Sequence, residues 1–223
     1  MTLRSDDPVA FDGAVNITGA FTPPSNNWLT NGMISQNAEI ARSKMAQDTN
    51  VEFSVALTDF RVWDAFQTNL PGTAANDDLA IVGGTFGTNP PSIQAGDLKA
   101  AGATTRYARA LIQLPAEYDD GKTLQLRIAA GMLTTVADNT CTVDVECYKS
   151  DEDNTVSSDL CDTAAQDMNS LTFADLDFTI TETSRATGDI LDVRIAIACN
   201  DAATGTAVIP CIAAVKLTAD IRG

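Results

Sequence analysis

The 223-residue chain sets fourteen Lys and Arg against thirty Asp and Glu, a formal net charge of −16, and has no histidine. That length is expected to give one or two domains with enough buried surface for a core that needs no staples. The composition excludes Ser-His-Asp and Cys-His relays, His-ligated zinc and imidazole acid–base chemistry, and the charge excludes a general binder of phosphate backbones or anionic membrane surfaces.

The first residues, Met1 to Pro8, show no apolar h-region, and no apolar run approaches ~18 residues, so neither a signal peptide nor a membrane span is expected. Residues 1–50 contain Thr22-Pro23-Pro24-Ser25-Asn26-Asn27 and read as an extended N-terminal arm. Within it Ile34, Ala38, Ala41 and Met45 fall at helical spacing and allow a short helix over Ser35 to Ala46. Phe21, Trp28, Leu29, Met33 and Ile34 are apolar residues in polar surroundings. A segment too short for its own core must bury them elsewhere, so they are the candidate partner-contact residues.

From Val51 the pattern has period two. Val51, Phe53, Val55 and Leu57 alternate with polar or small residues, and Leu79 to Val82 is a short apolar run ending at Gly83-Gly84. Ala108, Ala110, Ile112 and Leu114 oppose Tyr107, Arg109, Leu111 and Gln113; Leu124, Leu126 and Ile128 follow the turn Asp119-Asp120-Gly121. Val143, Val145 and Cys147 oppose Asp144, Glu146 and Tyr148. Leu176, Phe178 and Ile180 share a face, as do Leu191, Val193, Ile195, Ile197 and Cys199. Cys211, Ala213, Val215, Leu217, Ala219 and Ile221 form the last apolar face. About eight strands with one apolar and one polar face predict an all-β protein, an antiparallel β-sandwich of jelly-roll-like form over residues 51–223.

Five cysteines, Cys141, Cys147, Cys161, Cys199 and Cys211, leave at least one unpaired. They read first as small buried hydrophobes, with disulfides across facing strands as the alternative. Without C-x-x-C or histidine no metal cluster is expected. Asp151, Glu152, Asp153, Asn154 and Asp159 form an acidic loop that departs from an EF-hand, since Thr155 stands where Asp or Asn belongs and no Gly follows. A solvated loop is the simpler reading, with an oxygen-only Ca²⁺ site behind it. Asp77-Asp78 and Asp119-Asp120 read as turn residues, because neighbouring side chains diverge and make poor glycosidase pairs. Gly83-Gly84-Thr85-Phe86-Gly87-Thr88 lacks the Lys of a phosphate loop. Trp63 reads as core or, secondarily, as a sugar platform. No nucleophile has a base beside it, so the chain reads as a non-enzyme without a cofactor.

Four segments resemble small structural proteins of tailed-phage heads. They are Asp59 to Ala65 with Leu70 to Ala75, Asp97 to Arg109, Ala130 to Asp138, and Gly188 to Arg194. The resemblance implies a decoration (cement) protein on the outer capsid surface, made in the host cytoplasm. Its partners would be the major capsid protein and copies of itself, as a homo-oligomer such as a trimer, with no nucleic acid and no membrane. The charge of −16 suits the outside of a DNA-filled shell. The alternative is a carbohydrate-binding or adhesion module displayed on a virion.

Overall fold

The computed structural model describes residues 50–150, 153–203 and 205–221. The arm residues Phe21, Trp28, Leu29, Met33 and Ile34, and the short helix read over Ser35 to Ala46, lie outside the described residues. Ten strands occur among the described residues: β1 (Asn50–Val55), β2 (Ala80–Val82), β3 (Ser92–Gln94), β4 (Gly102–Gln113), β5 (Leu124–Met132), β6 (Thr140–Ser150), β7 (Gln166–Asp167), β8 (Ala174–Thr179), β9 (Ile190–Asp201) and β10 (Pro210–Asp220). A single 3₁₀ turn spans Leu57–Asp59. The eight strands read from alternation are present. The short β3 and β7 are additions, because three and two residues are too few to show a period.

The strands form an antiparallel β-sandwich of jelly-roll-like form. One sheet has the order β2-β3-β10-β5-β8, with β1 also on β10, and the other has the order β4-β9-β6-β7. Strand β10 is the spine of the first sheet. From Pro210 to Ala219 it pairs with β5, and its other edge is shared by β3 at Cys211 and Ile212 and by β1 from Val215 to Asp220. The core lies between the sheets and is built from the residues that the alternation marks. Leu126, Ile128, Phe178, Val215 and Leu217 face Ala108, Val143, Val145, Val193 and Ile195, all nearly or completely buried. Each such aliphatic or aromatic side chain contributes roughly 1.5–3 kcal/mol on leaving water.

One face assignment changes. The alternation through Cys211, Ala213 and Val215 is broken by a bulge, where Ile212 pairs with Ala130 but Ala214 pairs with Ala129. The extra residue reverses the phase, so Ile212 enters the core while Cys211 is buried outside it.

Candidate functional site

The two outer faces of the sandwich differ in chemistry. On the first sheet, Glu52, Lys216, Arg127 and Asp177 form a continuous ladder of ion pairs across β1, β10, β5 and β8. Arg127 grips Asp177 with two bonds of 2.7 and 2.8 Å, and Lys216 meets Glu52 at 2.6 Å. The Arg127 guanidinium holds the Asp177 carboxyl below its usual range, and Lys216 followed by Arg127 does the same for Glu52. These charges already satisfy one another, and none of these four residues offers an aromatic surface.

The outer face of the second sheet is a groove, and its shape follows from residue size. In successive cross-strand rows, Arg109, Arg194 and Glu146 lie side by side, then Tyr107, Ala196 and Asp144, then Thr105, Ala198 and Thr142. Small residues on the central strand β9 therefore sit between larger ones on β4 and β6, and the floor drops. One basin of about 390 Å³ is lined by Trp63, Asp64, Arg109, Glu146, Tyr148, Asp192 and Arg194. A second, of about 270 Å³, lies over Ala196 and Ala198 between Tyr107, Thr105, Thr142, Asp144 and Ala165. Both basins share Glu146 and Arg194, so they form one trough. From Asp192 to Ala198 it follows β9 for about 20 Å.

Trp63 reaches this face through the excursion between β1 and β2. Arg61 exchanges backbone hydrogen bonds with Arg109 at 2.8 and 3.1 Å, and Asp77 and Leu79 bond to Tyr107, so residues 61–79 cover the open edge of β4. The extended backbone alternates there: Phe60 enters the core, Val62 is buried beside it, and Trp63 turns out onto the sheet. Trp63 is thus half-buried and outside the core. Its indole N–H donates to Asp77 Oδ2 at 3.0 Å, and its ring lies 5.1 Å from that of Tyr107 at a tilt of 49°.

Arg194 organises the centre. Its guanidinium lies 5.0 Å from the Trp63 ring and 4.8 Å from the Tyr107 ring, and donates to Glu146 at 2.6 Å. Arg109 forms a two-bond pair with Asp192, through Nε at 2.6 Å and through Nη2, and its guanidinium is 5.3 Å from the Phe66 ring. The Asp192 contact raises Arg109 above its ordinary value. Asp64, Asp144, Glu146 and Asp192 outnumber Arg109 and Arg194, so the trough is acidic. Beside it, burial and then the Asp77 and Asp64 charges push the Asp78 carboxyl above its usual range. Asp78 Oδ1 is enclosed and has no hydrogen-bond partner.

The other features singled out in the sequence lie elsewhere. Asp119-Asp120-Gly121 closes the β4–β5 connection. The Gly83 to Thr88 run is a tight β2–β3 loop closed by Thr85–Asn89 hydrogen bonds. At Gly84 φ is +67°, and an added Cβ would stand 2.3 Å from the Asn89 carbonyl, so backbone geometry accounts for the glycine. Asp151 and Glu152 lie outside the described residues. Asp153 accepts from the Thr155 backbone and hydroxyl, and Asp159 Oδ1 accepts from the Cys147 and Cys161 amides. Among the described residues no group of three or more Asp, Glu or Cys side chains is arranged to hold a metal ion.

Alternation identified Tyr107, Arg109, Glu146, Tyr148, Asp192 and Arg194 only as polar strand faces. The available signal was the pair Ala196 and Ala198 on the polar face of a strand, which marks a lowered floor. Three of the segments carrying the phage-head resemblance supply Trp63, Tyr107, Arg109, Asp192 and Arg194.

No protein-family model and no curated protein matches the chain. Among solved structures, a "xylan-binding module CBM15" aligns with a TM-score of 0.41 at 13% identity, covering 78% of this chain and 99% of that one. The CBM22-1 xylan-binding domain of Paenibacillus barcinonensis Xyn10C aligns at 0.40 and 10% identity, covering 80% and 100%. TmCBM61, solved with β-1,4-galactotriose, aligns at 0.39 and 8%, covering 66% and 86%.

Proposed function

We propose that this chain is a non-catalytic carbohydrate-binding module that holds an extended, neutral glycan along β9. The observation that carries the reading is the combination of Trp63, Tyr107 and Tyr148 with paired Arg and carboxylate groups in one open trough. A sugar ring presents an apolar C–H face and an edge of hydroxyls. Aromatic surfaces match the face, and fixed ionic groups donate to and accept from the edge. The Arg–carboxylate pairs hold these groups in place before the ligand arrives, which lowers the ordering cost of binding. The excess of carboxylates repels uronate or sulfated chains. Glu146 and Asp192 are committed to arginines, and Asp78 Oδ1 is enclosed rather than presented to the trough. None of these three carboxylates is therefore placed as the free acid or base of glycoside hydrolysis.

A panel of immobilised neutral and anionic polysaccharides tests this reading. Neutral chains are expected to bind and anionic ones not. Trp63→Ala should remove one aromatic face, ~100 Å² of apolar contact or about 2.5 kcal/mol, and weaken binding roughly 60-fold. Silence across the neutral panel overturns the proposal, and so does wild-type affinity in a folded Trp63→Ala protein.

A second reading keeps the virion setting. The segments that resemble tailed-phage head proteins supply Trp63, Tyr107, Arg109 and Arg194 of the trough, which favours a module displayed on an outer capsid surface. In that setting the partners are the major capsid protein and further copies of the chain. Weak contacts would sum through multivalency, as expected for a decoration protein. Co-sedimentation with purified heads at a stoichiometric copy number supports it, and failure to coat heads counts against it.

A further inference from the structure

We infer that Cys141 and Cys199 are a redox-modification site that closes into a cross-strand disulfide when the protein meets a small disulfide oxidant. The inference is independent of the glycan reading. All five cysteines are free thiols in this structure. Cys141 on β6 is the register partner of Cys199 on β9. Directly opposed residues of an antiparallel pair share a face, with Cα atoms about 4.5–5.5 Å apart, inside the ~4.4–6.8 Å that a disulfide requires. Both side chains point inward and are 0% and 2% exposed, so no solvent separates them.

The same pairing sets the two thiols beside each other in the core. The neighbouring Cys199 thiol and then burial push Cys141 above the ordinary thiol value. Either thiol reacts as thiolate once the strand end opens to solvent, and the step is the same with the two exchanged. The register also excludes the nearest same-strand competitor: Cys147 is six residues along β6, roughly 20 Å away. Cys211 lies in the other sheet, buried outside the main core. Access comes from the sheet end, since Cys141 is the second residue of β6 and Cys199 is two residues from the end of β9. Strand ends open locally far more often than the whole domain unfolds.

The chemistry balances with oxidised glutathione as oxidant. The Cys199 thiolate attacks one glutathione sulfur, the glutathione S–S bond breaks, and one glutathione leaves as thiolate. Cys141 loses its proton to solvent and attacks the Cys199 sulfur of the mixed disulfide, expelling the second glutathione. Two protein thiols are oxidised and one glutathione disulfide is reduced. The bridge lies beneath the row formed by Thr142 and Ala198, and so fastens β6 to β9 at one end of the trough.

The test equilibrates the full chain with oxidised glutathione, blocks remaining thiols and maps peptides without reduction. A peptide pair joining Cys141 to Cys199 is expected, with a rise in Tm on the order of 10 °C for the ~60-residue loop, reversed by reductant. In Cys199→Ala that redox-dependent shift should vanish. Cys141 and Cys199 both remaining alkylatable, or either joined to a different cysteine, overturns the inference. If Cys199→Ala fails to fold, the wild-type peptide map alone decides.

Discussion

Replacing Arg194 by Ala probes the centre of the trough. The guanidinium makes two ring contacts, at 5.0 and 4.8 Å, each worth about 0.5–1 kcal/mol at a partly exposed site. Its pair with Glu146, whose partners are 28% and 36% exposed, adds roughly 0.2–1 kcal/mol. The expected loss of stability is about 2 kcal/mol, or ~4–8 °C in Tm for a domain of this size. Arg194→Lys keeps the charge but loses the planar stack, and about half of that loss is expected. Urea unfolding at constant m-value measures both variants. A double-mutant cycle with Trp63→Leu should return a coupling of about 0.5–1 kcal/mol. A loss below ~0.5 kcal/mol in Arg194→Ala with no coupling to Trp63 would refute the stacked arrangement, and with it the preorganised trough.

Asp78 gives a pH-dependent test. Its carboxyl is raised mainly by burial, so its contribution to stability is full below the unfolded value of ~3.9 and is lost as pH rises through the folded value. Asp78→Asn is therefore expected to raise the urea midpoint at pH 7 and to change little near pH 3; a lower midpoint at pH 7 refutes the assignment. Asp177 has the opposite sign: Arg127 depresses it, so Asp177→Asn should cost stability at neutral pH and progressively less as pH falls through the folded value. Asp201 is fully buried and accepts from the Ala100 and Asp138 amides at 3.1 and 2.9 Å. Asp201→Ala is expected to cost about 3 kcal/mol and to speed hydrogen exchange at both amides; unchanged protection there would show that neither loop depends on it.

The sequence by itself determined the class of fold, and the reason is local. A period of two carries the inward and outward faces of each strand, so Val143, Val145, Ile195 and Ile197 could be assigned to the core without a partner strand in view. It also excluded histidine relays, because a chain with no histidine cannot gain one by folding. The reversed phase at Ile212 was not legible, since a bulge is defined by the strand opposite it. Tertiary structure alone assembled the trough. Trp63, Tyr107, Glu146 and Arg194 are far apart in sequence, and they meet because β4, β9 and β6 pair in one register while residues 61–79 fold over the edge. The same pairing sets Cys141 against Cys199. Periodicity determines which way a side chain points, and only the strand order determines what it meets.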